Sequence, residues 1–334
     1  MKKSEQEKES PMMQLYQRIK TENPEALLFF RLGDFYELFG DDAKEAAGLL
    51  DITLTARTSG EGRAVKIPMC GVPYHAADGY IAKLVKAGRK VAIVEQMEDP
   101  RQAKGMVRRE LVRIITPGTV LETNSLEAKQ NNYLAAVTVS AGVLGLAAVD
   151  LTTGEFPVAE FHSAGSWEAL LIELNRLRPA EILVPDNLAE PARLALTRLE
   201  FACLTVRPAF RFDVDEARRQ LLAHFKLASM DSAGCGDYAP GLGAAGAVLF
   251  YLGETQRSSL THIRRLAPYR QDSHMVLDPA TVRNLDLVRN AYDGSRRHTL
   301  LQVLDFTYTA MGGRRLYRWV LRPLLDAGQW PASP

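Results

Sequence analysis

Strand-length apolar runs alternate with helix-period segments through the first two-thirds of this chain, and after about Leu242 only helical patterns remain. That switch of period constrains the fold more than any composition figure. It predicts a multidomain chain: mixed α/β units first, then the beginning of an all-helical one. The 334 residues exceed what one core organises, so two or three domains follow from length as well. The most apolar stretch, AAGAVLFYLG at 244–253, is too short for a bilayer span, which takes about 20 residues. The opening MKKSEQEKES is polar and mixed in charge. It reads as a disordered leader over 1–10, without a secretory signal.

Residues 11–124 read as the first unit. MMQLYQRIKTEN is an amphipathic helix stopped near Pro24, and ALLFFRLG is a strand closed by Gly33. GDDAKEAAGLLD is a helix with its carboxylates in the first turn, where the dipole favours them. VKIPMCGVPYHAADGYIAKLVKAG gives a short strand, a Pro/Gly turn and a helix ending at Gly88; KVAIVEQME and RRELVRIITPGT are further strands. Residues 125–240 read as the second unit, entered through the polar LETNSLEAKQNN. There YLAAVTVSAGVLGLAAVDLTTGEFPVAEF alternates as a three-stranded meander. A helix N-capped by Ser166 and the strand EILVPD follow. Residues 241–334, with AAGAVLFYLGETQRS, PATVRNLDLVRNA, TLLQVLD and GGRRLYRWVL, read as the start of a helical domain.

Several chemistries find no support in the motifs. GLGAAG at 241–246 matches a dinucleotide fingerprint by letter, but no strand precedes it and no acidic residue lies about 20 positions on. Close helix packing explains its glycines. The chain has no Gly-Lys dipeptide, hence no P-loop of the Walker type. Its six histidines, His75, His224 and His298 among them, lack metal-ligand spacing, and Cys70, Cys203 and Cys235 fit neither zinc nor a disulfide framework. Unpaired cysteines fit a reducing cytoplasm. The meander carries Asp150 at a strand end, a pattern like a ribonuclease-H-like fold. A magnesium-dependent nuclease would need Asp150 to converge with carboxylates such as Glu173, Asp213 or Asp215. Asp150 enters a Leu-Thr-Thr-Gly turn, and Asp213 and Asp215 sit in a loop-like RFDVDE, so nothing in the sequence requires that convergence.

Charge divides the chain. Residues 125–255 hold 10 basic and 16 acidic residues, a poor surface for nucleic acid but a possible platform for a protein partner. Residues 256–334 hold 12 and 6. Residues 83–113 hold 9 basic and 4 acidic, a local positive footprint in an otherwise balanced first unit. On that same unit lies RLGDFYELFGDDA. If DFYEL is extended, Tyr36 and Leu38 share one face, and Phe35 and Glu37 share the other. Two readings follow. Phe35 packs inward and Glu37 caps the next helix; or Phe35 is an apolar wedge that prises a weak base step open, with Glu37 penalising sound duplex.

FFRLGDFYELFGDDAKEAAGLLDITLTAR, IPMCGVPYHAADGYIAKLVKAGRKVAIVEQMEDP and VRRELVRIITPGTV resemble the mismatch-recognition domain of the bacterial MutS family of DNA mismatch repair proteins. NNYLAAV, AVDLTTGEF and LNRLRPAEIL resemble its connector domain, and TLLQVLDFTYTAMGGRRLYRWVLRPL the start of its helical core. The resemblance implies that Phe35 stacks on the mispaired or unpaired base and that Glu37 hydrogen-bonds to it. Arg57, Lys104, Arg108 and Arg109 are expected at the DNA backbone on grounds of charge. In the family, ATP and Mg²⁺ act through a separate P-loop ATPase domain that also dimerises, and the connector receives a downstream repair partner. No cofactor and no ATPase activity are expected of these 334 residues, which leave the family pattern after about Leu325, as a truncation, a broken reading frame or a fragment does. Mismatched duplex DNA is the expected partner, the cytoplasm near the nucleoid the expected place, and no membrane is expected.

Overall fold

The computed structural model describes residues 10–59, 65–98, 107–120, 129–162, 165–257, 259–269 and 274–325. The chain divides into two units. One comprises residues 1–125 with 253–259, the other residues 126–252 with 260–334. The expected leader lies outside the described residues except for Ser10, whose hydroxyl accepts from the Met13 amide and caps the first helix.

In the first unit, helix α1 (Pro11–Glu22) precedes strands β1 (Ala26–Leu32) and β2 (Phe35–Phe39). Helix α2 (Gly40–Leu50), strands β3 (Thr55–Ser59) and β4 (Val65–Pro73), helix α3 (Ala77–Lys86), and strands β5 (Lys90–Gln96) and β6 (Arg109–Ile115) follow. The sheet order is β3-β4-β2-β1-β5-β6, antiparallel except for the parallel pair β1 and β5. Gly33 at φ +60° lets β1 and β2 join through two residues, because a tight hairpin turn needs a positive φ. Leu28, Phe30 and Phe39 lie on one face and bury beneath Met13, Tyr16 and Ile19 of α1. Phe29, Tyr36, Leu38 and Cys70, of the opposite pleat, are also buried, and α2 and α3 pack on these strands. Asp42 ties the layers together. Its carboxylate accepts from the Leu28 amide (3.0 Å) and the Tyr16 hydroxyl (3.2 Å) and pairs with Lys20 at 2.7 Å.

The second unit carries the expected meander, β7 (Tyr133–Ser140), β8 (Val143–Asp150) and β9 (Glu155–Phe161). After it come α4 (Ser166–Leu177), β10 (Glu181–Pro185), α5 (Glu190–Thr197), β11 (Cys203–Arg207), α6 (Val214–Phe225) and α7 (Pro240–Gln256), of which residues 240–252 belong to this unit. Strand β12 (Arg265–Pro268) and helices α8 (Pro279–Asn284), α9 (Leu300–Leu304) and α10 (Ala310–Leu321) complete the described chain. The order is β11-β10-β7-β8-β9-β12, with β10 parallel to both β7 and β11. A meander continued by parallel strands beside its first member is the ribonuclease-H-like arrangement. Ala141 and Gly142 both take positive φ in the first meander turn. One face of the sheet packs against α6 and α7, the other against α4 and α5.

Four details differ from the sequence reading. Ser166 is the first helical residue of α4; Gly165, at φ +87°, is the cap and supplies no side chain. Asp213 and Asp215 are not in a loop: Asp213 caps α6 by accepting from the Glu216 amide (2.8 Å), and Asp215 stands in its first turn. Helix α7, read as opening the helical region, lies in the core with the second sheet, and β12 extends that sheet beside β9. The helical pattern from Pro279 stops at Asn284. Beyond it Asp286 and Asn290 side chains accept from the Ala291, Tyr292 and Asp293 amides, offering the backbone an alternative to the helix. Among the described residues no helix is long and apolar enough to cross a membrane.

Candidate nucleic-acid interface

The two-residue period of β2 puts Phe35, Glu37 and Phe39 on the face that α1 covers. The cover is partial. Phe39 is buried in the α1 cluster, Glu37 is half-buried, and Phe35, outside that cluster, is 47% exposed. Leu32 and Pro73 flank Phe35 across the two ladders, and Phe30 and Gly71 flank Glu37. Gly71 leaves that flank open: a Cβ there would lie 3.6 Å from Glu37 Cγ and 3.9 Å from Phe35 Cδ1.

Arg57 reaches the same face from β3. Its Nη1 stands 3.4 Å from Glu37 Oε2, and its guanidinium lies 5.9 Å from the Phe39 ring centroid. Two opposed effects act on the Glu37 carboxyl. Burial raises its pKa above the ordinary 4.5, and the Arg57 charge pulls it down by less. The site therefore joins an accessible aromatic ring to a carboxyl whose pKa burial raises.

The hairpin that presents Phe35 is braced from the other pleat. Arg31 Nε donates to the Gly33 carbonyl, and its guanidinium sits 3.5 Å from the Tyr74 ring centroid. The Tyr74 amide donates to the Asp34 carbonyl (3.0 Å), and the Tyr36 hydroxyl donates to Glu95. Sequence reasoning passes over Arg31, Gly71, Tyr74 and Glu95. Arg31 has a local signal, because it sits two residues before the turn glycine; Gly71 and Glu95 come from other strands and Tyr74 from the turn after β4, and they have none.

The remaining basic residues stand elsewhere. Lys104 lies outside the described residues. Arg108 is exposed just before β6 and pairs with Glu110. Arg109 is half-buried. It donates from Nε to the Arg31 carbonyl and from Nη1 to the Val107 carbonyl, both at 2.9 Å, and its guanidinium lies 5.6 Å from the Phe30 ring centroid. Strands β1 and β5 separate β6 from β2, roughly 14 Å at the usual strand spacing. The structure thus gathers Phe35, Glu37 and Arg57, and sets Arg108 and Arg109 apart from them.

The carboxylates weighed for metal chemistry are engaged locally. Asp150 is fully buried and accepts from Thr152 N (2.8 Å), Thr152 Oγ1 (2.6 Å) and Asn131 Nδ2 (2.6 Å). Glu173 pairs with Arg176 and accepts from the Tyr269 hydroxyl (2.8 Å). Among the described residues no three His, Cys, Asp or Glu side chains gather as metal ligands. In GLGAAG, a Cβ on Gly243 would come 2.4 Å from the Phe212 carbonyl oxygen, and one on Gly246 would come 2.3 Å from Ala217 Cβ. Those glycines serve the packing of α7.

Three family models match in succession: MutS domain I over residues 10–124, MutS domain II over 132–264 and MutS domain III over 280–329. The chain is 50% identical over 319 residues to the DNA mismatch repair protein MutS of Syntrophobacter fumaroxidans, covering 95% of this chain and 35% of that protein. It is 46% identical over 323 residues to the protein of the same name from Symbiobacterium thermophilum, with 96% and 37% covered. For that of Pelotomaculum thermopropionicum the identity is 47% over 318 residues, with 95% and 36% covered. The chain spans little more than a third of the length of these relatives. With consecutive domain matches over most of its residues, it belongs to the MutS family of DNA mismatch repair proteins.

Proposed function

We propose that this chain recognises duplex DNA at mispaired or unpaired bases, with Phe35 as the wedge and Glu37 as the discriminating group. One observation carries the reading: an aromatic ring half in solvent, at the uncovered end of a packed sheet face, two residues from a carboxyl whose burial favours its protonated form. Inserting a ring between base steps costs a few kcal/mol of unstacking, and less where pairing is already weak. A protonated Glu37 donates to a base acceptor; an ionised one is repelled by intact duplex and its phosphates.

Arg57 balances Glu37 in the free protein and turns to phosphate in the complex, with Lys104 and Arg108 along the backbone. Arg109 contributes less, since two of its donors are committed to carbonyls. The second unit, acidic over 125–255, receives a repair partner. These residues act as a binding module of a cytoplasmic repair system and hydrolyse no ATP themselves. ATP, Mg²⁺ and dimerisation belong to other parts of the full-length family.

Anisotropy titration of the 334-residue chain with matched and G·T duplexes tests the reading. The mismatched duplex is expected to bind tighter, and Phe35→Ala to abolish that preference while leaving matched binding within about twofold, because phosphate contacts are sequence-independent. Equal affinity for both duplexes overturns it. Phosphate release from ATP by the purified chain overturns the claim that it carries no ATPase activity.

A further inference from the structure

In the second unit a cavity of about 350 Å³ opens between α4, α8, the 288–294 segment and α10. That volume is at the lower end of small-molecule sites. Its floor is apolar and aromatic, with Leu277, Val282, Val288, Leu321 and Tyr317. Its other lining is cationic: Arg176, Arg178, Arg283 and Arg289 all contribute, and no aspartate or glutamate does.

The four arginines are not equivalent. Arg176 is neutralised by Glu173. Among the described residues no carboxylate pairs with Arg178, Arg283 or Arg289, which leaves three uncompensated charges around one small concavity. Arg178 and Arg289 are close enough to repel: burial first, then the Arg289 charge, holds the Arg178 guanidinium below its ordinary pKa. Arg178 is also held in place. It takes a left-handed conformation at the C-cap of α4 (φ +47°), where glycine or asparagine is the usual choice, and its guanidinium stacks 4.5 Å from the Phe201 ring centroid. A preset, like-charged cluster around an apolar floor is unfavourable without an anion and favourable with one.

We propose that this cavity is a binding site for a small phosphate-bearing molecule, with Arg178, Arg283 and Arg289 as the anion clamp and the floor beneath Tyr317 taking any apolar part. Phosphate accepts bidentate guanidinium bonds from several directions. The site lies in the second unit, and its proposal is independent of Phe35.

Calorimetric titration of the 334-residue chain, free of DNA, with inorganic pyrophosphate and with adenosine 5′-diphosphate tests the inference. Binding of at least one is expected at one site per chain. Arg178→Gln and Arg289→Gln should each weaken it about tenfold or more, as the loss of a charged hydrogen bond does. If the diphosphate nucleoside binds several-fold tighter than pyrophosphate, the ligand is a nucleotide; if the two are equal, it is a free phosphate compound. Thermal unfolding separates binding from folding. Without ligand, Arg289→Gln should melt no lower than wild type, because it removes a repulsion; pyrophosphate should raise the wild-type midpoint and not that of the double variant. Failure of both ligands to bind at millimolar concentration, or binding unchanged in the double variant, overturns the site.

Discussion

The Arg57 guanidinium stands 3.4 Å from the Glu37 carboxylate, reaching it across the intervening strand β4. Burial acts on Glu37 more strongly than this ion pair does, so its folded pKa lies above the ordinary 4.5. Below pH 4.5 the folded and unfolded chains both hold the proton, and the group is neutral to stability. As pH rises from 4.5 through the folded pKa, the unfolded chain releases its proton first and stability falls. Glu37→Gln is expected to remove this decline, so that its urea midpoint exceeds the wild type at pH 7 and matches it near pH 4. Arg57→Ala removes the one opposing charge and should move the Glu37 pKa further up, as read from its carboxyl carbon by NMR. A downward shift would show that Arg57 acts on Glu37 more by shielding it from water than by its charge.

Asp42 is the polar joint of the first unit. Substitution by alanine strands the Leu28 amide inside the core, leaves the Tyr16 hydroxyl only the Phe39 carbonyl to donate to (3.3 Å), and leaves Lys20 without its carboxylate. Loss of about 2–4 kcal/mol of unfolding free energy is expected, from one orphaned buried donor, a weakened second and a broken partly buried pair. Urea denaturation measures the total, and faster amide exchange at Leu28 locates it. A loss below about 1 kcal/mol would mean that water replaces the carboxylate there.

The division between Phe35–Glu37 and Tyr36–Leu38 is legible in the sequence because a strand has one period, and a fixed period assigns faces without knowing the neighbours. Their environments are not legible. Inward packing of Phe35 and an exposed wedge both fit the sequence, and the choice depends on where α1 stops covering the sheet. Arg109 sits in a basic stretch, and charge alone points it outward, but the Arg31 carbonyl that holds it is 78 positions away. Strand β12 is four residues long and ends in Pro268, below what alternation can reveal; it exists because β9 offers an edge. Helix α7 shows the reverse case. An apolar pattern on all sides marks a helix as buried, yet which sheet buries it is a tertiary fact.

Glycines of α7 separate packing from helix propensity. A methyl on Gly246 would overlap Ala217 Cβ at 2.3 Å, whereas Gly253 has nothing within 4 Å. Gly246→Ala is expected to destabilise by about 1–3 kcal/mol or more through overpacking. Gly253→Ala should stabilise by roughly 0.5–1 kcal/mol, by helix propensity alone. Thermal midpoints moving in opposite directions support the packing role of GLGAAG. A neutral Gly246→Ala would mean that α6 and α7 separate freely enough to admit a methyl, so that close packing does not require the glycine.

Gly71 offers a test of the wedge that leaves Phe35 and Glu37 in place. Its Cβ position is in ordinary contact range, 3.4 Å from the Tyr36 carbonyl oxygen and 3.6 Å from Glu37 Cγ, so alanine is accommodated. A leucine there extends its branched end over the open surface beside Phe35, where a displaced base has to come to rest. Leucine also suits a strand interior better than glycine, so the thermal midpoint should rise or hold. Mismatch preference should fall by about tenfold, the equivalent of roughly 1.4 kcal/mol of lost stacking, with matched-duplex affinity within about threefold. This opposition of readouts excludes unfolding as the cause. If Gly71→Leu retains full preference while Phe35→Ala loses it, the base approaches from the Leu32 side of the ring. If both variants retain it, Phe35 is not the sensor.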